Sequence, residues 1–283
     1  MSITSSSMLV EMNVSVWTAS KIDRGQTDKV IEQANAATKS ATVRKNLMAG
    51  THLRKEINEF AVGSNTWHRG QTLPWQDRGA RLLPTSMFFD YKTEVNNRKN
   101  KFDTLVSEFL VNYPALVQTA GNYLGDMFNA NDYPSVEEVA PKFGFRMVYS
   151  PVPEAGDFRL DLPQRELDEM RNSYDTAFNT RLADAMKEPW ERLHETLGNM
   201  SKKLTEAEGE EKKRYHESLL GNAHELIGML THLNLTGDPK LEQARKDLER
   251  SIFGIDMDDI KESVAVRADV KGKLDAILQQ YDW

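Results

Sequence analysis

Trp67, His68, Trp75, Asp77, Arg78 and Arg81 fall within one stretch, Thr66 to Tyr91, which reads TWHRGQTLPWQDRGARLLPTSMFFDY. Tryptophan and arginine dominate binding hot spots because they bury a large area with few rotatable bonds. Trp67, His68, Trp75, Arg78 and Arg81 are therefore the candidate surface for a protein partner. The plain alternative makes both indoles plugs between helices and sheet, with the arginines paired to Asp77 or Asp90. Arg81, beside Gly79 and Ala80, has room to reach outward.

Arg98, Lys99 and Lys101 form the densest short basic run and are the candidate contact to nucleic-acid phosphates. Read plainly, they are a solvated helix face. Arg146 and Arg159 alternate with Phe145 and Phe158, a pattern that a stacking sheet for single strands also uses. Aromatics in such alternation ordinarily face a core. His216, His224 and His232 are spaced so that each lies about 80° beyond the last on a helix, whereas helical zinc sites use i and i+4. Asp256, Asp258 and Asp259 lack the glycine and distal glutamate of a calcium loop and read as a helix cap. Glu154, Asp157 and Asp161 crowd carboxylates near a loop, where turns ordinarily place them. Without a glycine-rich phosphate loop or a nucleophile-elbow serine, the sequence nominates no catalytic, cofactor-binding or metal-ligating residue. The expectation is a non-enzymatic protein that uses no cofactor.

Composition narrows the classes further. The 283 residues carry a net charge of −7, which argues against general coating of DNA, since such affinity comes from neutralising phosphates. Cysteine is absent, so disulfides, thiolate nucleophiles and cysteine-bound metal centres are excluded. No apolar run approaches the roughly 18 residues of a membrane span, and the N-terminal stretch lacks the pattern of a secretory signal. The expected compartment is the cytoplasm, and no membrane partner is expected.

These residues need elements to position them. Val10, Met12, Val14 and Val16 alternate with polar residues, which predicts a half-buried strand. Thr27 to about Met48 predicts a weak helix. Another follows Gly50, with Leu53, Ile57, Phe60 and Ala61 on one face, and ends at Gly63 and Ser64. Thr85 or Ser86 caps a helix that kinks or breaks at Pro114. A short helix opens at Ser135. Residues 145–150 and 158–162 alternate with period two around a turn-rich PVPEAGD, which predicts a hairpin. From Leu167 to Leu204, apolar residues recur every three or four positions, with Pro189 bending or splitting the rod. After a turn near Gly209, Leu219, Ala223, Leu226, Leu230 and Leu233 form a return stripe. Asp238 and Pro239 open a further helix, and the aspartates after Gly254 open a last helical region.

The fold class expected is mainly α (α+β), with a small antiparallel sheet of about three strands and a long helical hairpin arm of coiled-coil type. Residues 1–165 would form an α+β head. Residues 166–283 would form a helical arm, an antiparallel helical hairpin plus C-terminal helices. One wide stripe exceeds what a single return helix covers, so a homo-oligomer is expected.

TLPWQDRGARLLPTSMFFDY (72–91), NYPALV (112–117), DYPSVEEVAPKFGF (132–145), PVPEAGDFRLDL (151–162) and PWERL (189–193) resemble a family of tailed-bacteriophage and prophage proteins of unassigned function. Some members of that family lie near phage ATPases of the AAA class or von Willebrand-like domains. The resemblance implies a helical adaptor or scaffold in the host cytoplasm during infection, and it offers no catalytic residues to carry over. The alternatives are a single-stranded-DNA-binding accessory of phage DNA metabolism and an inhibitor of a host defence enzyme.

Overall fold

The computed structural model describes residues 3–76, 79–153, 162–205, 215–281 and 283. Its helices are α1 (Ile3–Ser6), α2 (Arg24–Gln33), α3 (His52–Gln71), α4 (Phe88–Thr119), α5 (Gly121–Leu124), α6 (Val136–Val139), α7 (Gln164–Leu204), α8 (Ser218–Leu233), α9 (Pro239–Ile252), α10 (Met257–Glu262) and α11 (Val264–Gln280). Its strands are β1 (Ser7–Ser15), β2 (Ser20–Ile22), β3 (Arg44–Asn46), β4 (Leu73–Pro74), β5 (Arg81–Pro84) and β6 (Gly144–Pro151). The protein is mainly α with a small antiparallel sheet in the order β4-β5-β1-β6, beside a β2-β3 ribbon. Strand β1 pairs antiparallel with β5, from Ser7 opposite Pro84 to Val10 opposite Arg81. Strand β4 pairs Leu73 with Leu82.

The expected strands at the N-terminus and at 145–150 are present as β1 and β6. The expected partner at 158–162, apart from Leu162, lies outside the described residues, as does the turn near Gly209. The sheet is completed instead by β4 and β5 from the tryptophan segment. Two- and four-residue strands are too short to show a period, and their prolines read as turns. Pro74 is tolerated because β4 is an edge strand.

Three helix expectations change. The Thr27–Met48 helix stops at Gln33, where Asn35 and Lys39 take positive φ (49° and 71°), and the chain returns as β3. Helix α3 does not end at Gly63 but runs on to Gln71, with Leu53, Ile57, Ala61, Ser64 and His68 buried along one face. Helix α4 runs through Pro114 without a break. Proline removes one bond from the ladder, and packing on both sides holds the helix: Phe109 and Tyr113 pack on Trp17 and Tyr113 donates to the Pro134 carbonyl at 2.9 Å. Pro189 likewise lies inside an unbroken α7 of 41 residues. The expected caps are present at Ser135, Asp238 and Asp256, the first and last as reciprocal capping boxes.

Residues cluster into two compact units that do not follow chain order. The first contains Met1–Glu11, Arg69–Phe89 and Tyr149–Trp283. Its main core joins Leu193, Leu197, Met200 and Leu204 of α7 to the apolar faces of α8, α9 and α11. The return helix therefore shares the α7 stripe with two more helices. Nothing between 164 and 182 is buried, whereas seven residues from Ala185 to Leu204 are.

The second unit contains Met12–His68 and Asp90–Val148. Its core gathers Trp17, Ile57, Phe102, Leu105, Phe109 and Tyr113. Gly50, at φ 75°, sits against Tyr123 so closely that a Cβ would lie 2.4 Å from the ring. The Lys45 ammonium is buried beside Asp132 and donates to the Met127 carbonyl at 2.8 Å, with Asp23 at 3.5 Å. Lys21 reaches Asp132 at 2.7 Å. Burial pushes the Asp132 carboxyl up, but hydrogen bonds from Lys21 and Lys45 outweigh it and hold the pKa below 3.8. The Asp132 hydrogen bond is also the main reason Lys45 stands above 10.5.

Two outcomes follow from this packing. Leu197→Ala and Leu226→Ala should each cost about 2–5 kcal/mol in urea unfolding, and unchanged midpoints in both would show that the two stripes do not share a core. A depressed Asp132 contributes stability above pH 3.8 that is lost as pH falls below it. Asp132→Asn should therefore flatten the loss of stability that sets in as pH falls below about 4. An acid limb as steep as that of the wild type would contradict the ion cluster.

Candidate functional site

The five residues nominated for partner binding are divided between the units. Trp67 and His68 close α3 within the second unit, whereas Trp75 and Arg81 belong to the first. Arg78, with Asp77, lies outside the described residues.

Trp67 is half-buried on α3. Its ring stacks on Tyr91 at 5.0 Å with an interplanar angle of 17°, and the Arg98 guanidinium sits 4.6 Å from the ring centroid. His68 is 4% exposed, with Nδ1 2.6 Å from the Tyr91 hydroxyl. Helical spacing explains the pair, since α3 turns Trp67 toward the edge of this core and His68 into it. Both side chains are engaged within their own unit.

Trp75 follows β4 and is 5% exposed. It meets Phe178 of α7 edge-on at 5.2 Å and joins a core with Leu9, Leu73, Leu82 and Leu233. It is a plug, the plain alternative for this residue.

Arg81 does not reach outward. Its Nε donates to the Thr72 hydroxyl at 2.7 Å, and its Nη2 donates to the Thr72 carbonyl at 3.0 Å and the Arg69 carbonyl at 3.4 Å. Arg192 of α7 donates to the carbonyls of Gly70 at 2.6 Å, Arg69 at 2.7 Å and Thr72 at 2.9 Å. Glu188, one turn before Arg192, pairs with both guanidinium groups. A helix end leaves carbonyls without intrahelical donors and carries partial negative charge. Two arginines supply donors and positive charge there, and Glu188 balances one of the two cations. Burial pushes Arg81 below the usual arginine range, with Glu188 opposing the shift. Spacing alone does not single out Arg192, because Glu188 and Arg192 look like an ordinary i,i+4 surface pair. Beside Arg81 lies a polar cleft of about 530 Å³, lined also by Gln76, Arg181 and Asp184.

The basic run is largely neutralised locally. Arg98 pairs with Glu94 at 2.8 Å, an ion pair rather than a hydrogen bond, and Lys99 pairs with Asp103 at 2.5 Å. Lys101 is exposed and makes no ion pair among the described residues. His232 lies 3.0 Å, Nδ1 to Oγ, from Ser86, while the Thr85 hydroxyl donates to the Ser6 carbonyl. No helix among the described residues is long and apolar enough to cross a membrane. Comparison with family models, curated proteins and solved structures gives no match for this chain.

Removing the plug and removing the clamp should both register as stability. Trp75→Ala should cost about 3–5 kcal/mol through the cavity it leaves. Arg192→Met should cost about 2–4 kcal/mol, because the helix carbonyls and Glu188 lose charged donors. Thermal unfolding of both variants checks this. Wild-type stability in Trp75→Ala would return that indole to the surface, and wild-type stability in Arg192→Met would remove the clamp.

Proposed function

We propose that the protein is a non-enzymatic, phage-encoded helical adaptor or scaffold that works in the host cytoplasm by self-association or by docking a protein partner. The observation that carries this reading is the contrast within α7. Residues 185–204 are sealed into a helical core, while 164–182 continue the same stripe through Leu167, Met170, Tyr174, Phe178 and Leu182 with none of them buried. Phe178 and Leu182 rest against a neighbouring core, and Tyr174 donates to the Pro153 carbonyl. Among the described residues Leu167 and Met170 join neither of the cores that α7 enters, and half-exposed apolar side chains in register with a buried stripe suit a helix-on-helix contact. The resemblance to phage proteins near AAA-class ATPases points to a component of such a system as the partner.

Binding of single-stranded DNA draws less support, since Arg98 and Lys99 already hold carboxylates. A host-enzyme inhibitor would rely on the net charge of −7 to mimic nucleic acid.

Sedimentation of wild type beside the double variant Leu167→Glu, Met170→Glu tests the proposal. The wild type should sediment above the 32.2 kDa monomer at micromolar protein. The variant should return to monomer with its melting temperature unchanged. A monomeric wild type that also recovers no partner from infected-cell extract would end the adaptor reading.

A further inference from the structure

Beyond the α7 stripe, the first unit contains a second cleft, of about 500 Å³, which of the sequence motifs only PWERL touches, through Trp190 and Glu191. Met186, Trp190, Glu191 and His194 line one wall from α7, Asp238 and Leu241 line the other, and Trp283 stands over it. That volume lies within the range of sites that enclose a ligand group. Trp190 and Trp283 meet edge to face at 5.6 Å and 76°, so one indole shows its face where the other shows its edge. Tyr281 packs on both rings, at 5.5 Å and 6.0 Å, and His194 lies 4.9 Å from Trp283. Trp283 nevertheless remains 40% exposed, although its Nε1 donates to the Leu278 carbonyl at 2.8 Å.

The charges at this cleft are unequal. Glu191 makes no ion pair among the described residues. Asp238 accepts from Trp190 Nε1 at 3.2 Å and from the Lys240 amide at 2.8 Å, neither of which carries a formal charge to it. Among the described lining residues Lys187 carries the one ammonium; Asp184 holds it at 2.7 Å, and Glu191 acts on it more weakly from a greater distance. Aromatic faces beside carboxylates attract cations twice over, through the ring quadrupole and through direct charge. A planar guanidinium can lie on an indole face while its N–H groups reach a carboxylate.

We infer that the cleft lined by Trp190, Glu191, Asp238 and Trp283 receives an arginine side chain carried by a basic segment of a partner protein. The inference rests on the adaptor reading in taking a protein as partner, and the net charge of −7 favours a basic one. Glu191 and Asp238 pair with the guanidinium, the exposed ring of Trp283 stacks on it, and Met186 covers its methylene stem.

Short peptides test this on the full chain. The probes are acetyl-Gly-Ser-Arg-Ser-Gly-amide and the same peptide with citrulline, which keeps the shape of arginine and loses the charge. Binding is followed by tryptophan fluorescence and by NMR of the peptide, at low salt. The arginine peptide should bind with a roughly millimolar dissociation constant and the citrulline peptide at least about tenfold more weakly. Trp283→Leu should weaken the arginine peptide about tenfold and Glu191→Gln about threefold, with melting temperatures held. Equal affinity for the two peptides, wild-type binding in both variants, or no saturation below about 20 mM peptide would each overturn the assignment. The outcome is separable from that of the adaptor reading, because sedimentation of the Leu167 and Met170 variant reports on residues that take no part in the cleft.

Discussion

Burial of one apolar stripe on α7 is the constraint on which the first unit depends. Leu193, Leu197, Met200 and Leu204 repeat at helical spacing, and the hydrophobic effect makes covering them the main source of stability available to this part of the chain. Three helices share the work. Helix α11 adds polar ties to α7, since Asp275 accepts from Ser201 at 2.5 Å and pairs with Lys271. With its C-terminal half fixed in this way, α7 can continue as a rod past Ala185, carrying a stripe that the core does not enclose. Stability and candidate function thus lie on the same helix, separated along its length.

The arginine clamp shows how a segment that looks made for binding can be used for architecture. The carbonyls of the last turn of α3 lack i+4 donors, although the Thr72 amide reaches the Arg69 carbonyl at 3.4 Å. Arg81 from β5 and Arg192 from α7 supply them, and the short β4-β5 pair places Trp75 against Phe178. The side chains that make good hot spots, indole and guanidinium, also make good internal anchors, for the same reasons of area and donor number. Composition alone does not separate the two uses.

Long periodic elements were the legible part of the sequence. The α7 and α8 stripes, the caps at Ser135, Asp238 and Asp256, and the alternation in β1 all follow from residue spacing. Short elements were not legible: β4 and β5 carry too few residues to show a period, and the β2-β3 pairing depends on a turn set by Asn35 and Lys39. Gly63 and Ser64 read as a stop but lie within α3, where His68 continues the buried face begun by Leu53, Ile57 and Ala61 and bonds the Tyr91 hydroxyl. Of the candidate site, the sequence found the residue types but not their direction. Arg81 turns inward to the carbonyls of Arg69 and Thr72, which nothing near it in the sequence identifies as its acceptors. Trp190 and Trp283 come together only because α11 packs on α7, a contact between distant residues that spacing does not encode.

Amide hydrogen exchange along α7, at low and at high protein concentration, tests the central claim most directly, because it reads the two halves of one helix in a single experiment. Amides in 185–204 should be strongly protected at both concentrations. Those in 164–173, before the contacts of Tyr174 and Phe178, should exchange quickly in dilute protein and become protected as the protein concentrates. Equal protection of 164–173 and 185–204 in dilute protein, or rapid exchange of 164–173 at every concentration, would contradict the account of α7 as a helix whose C-terminal part is committed to its own core while its first turns are open to a partner.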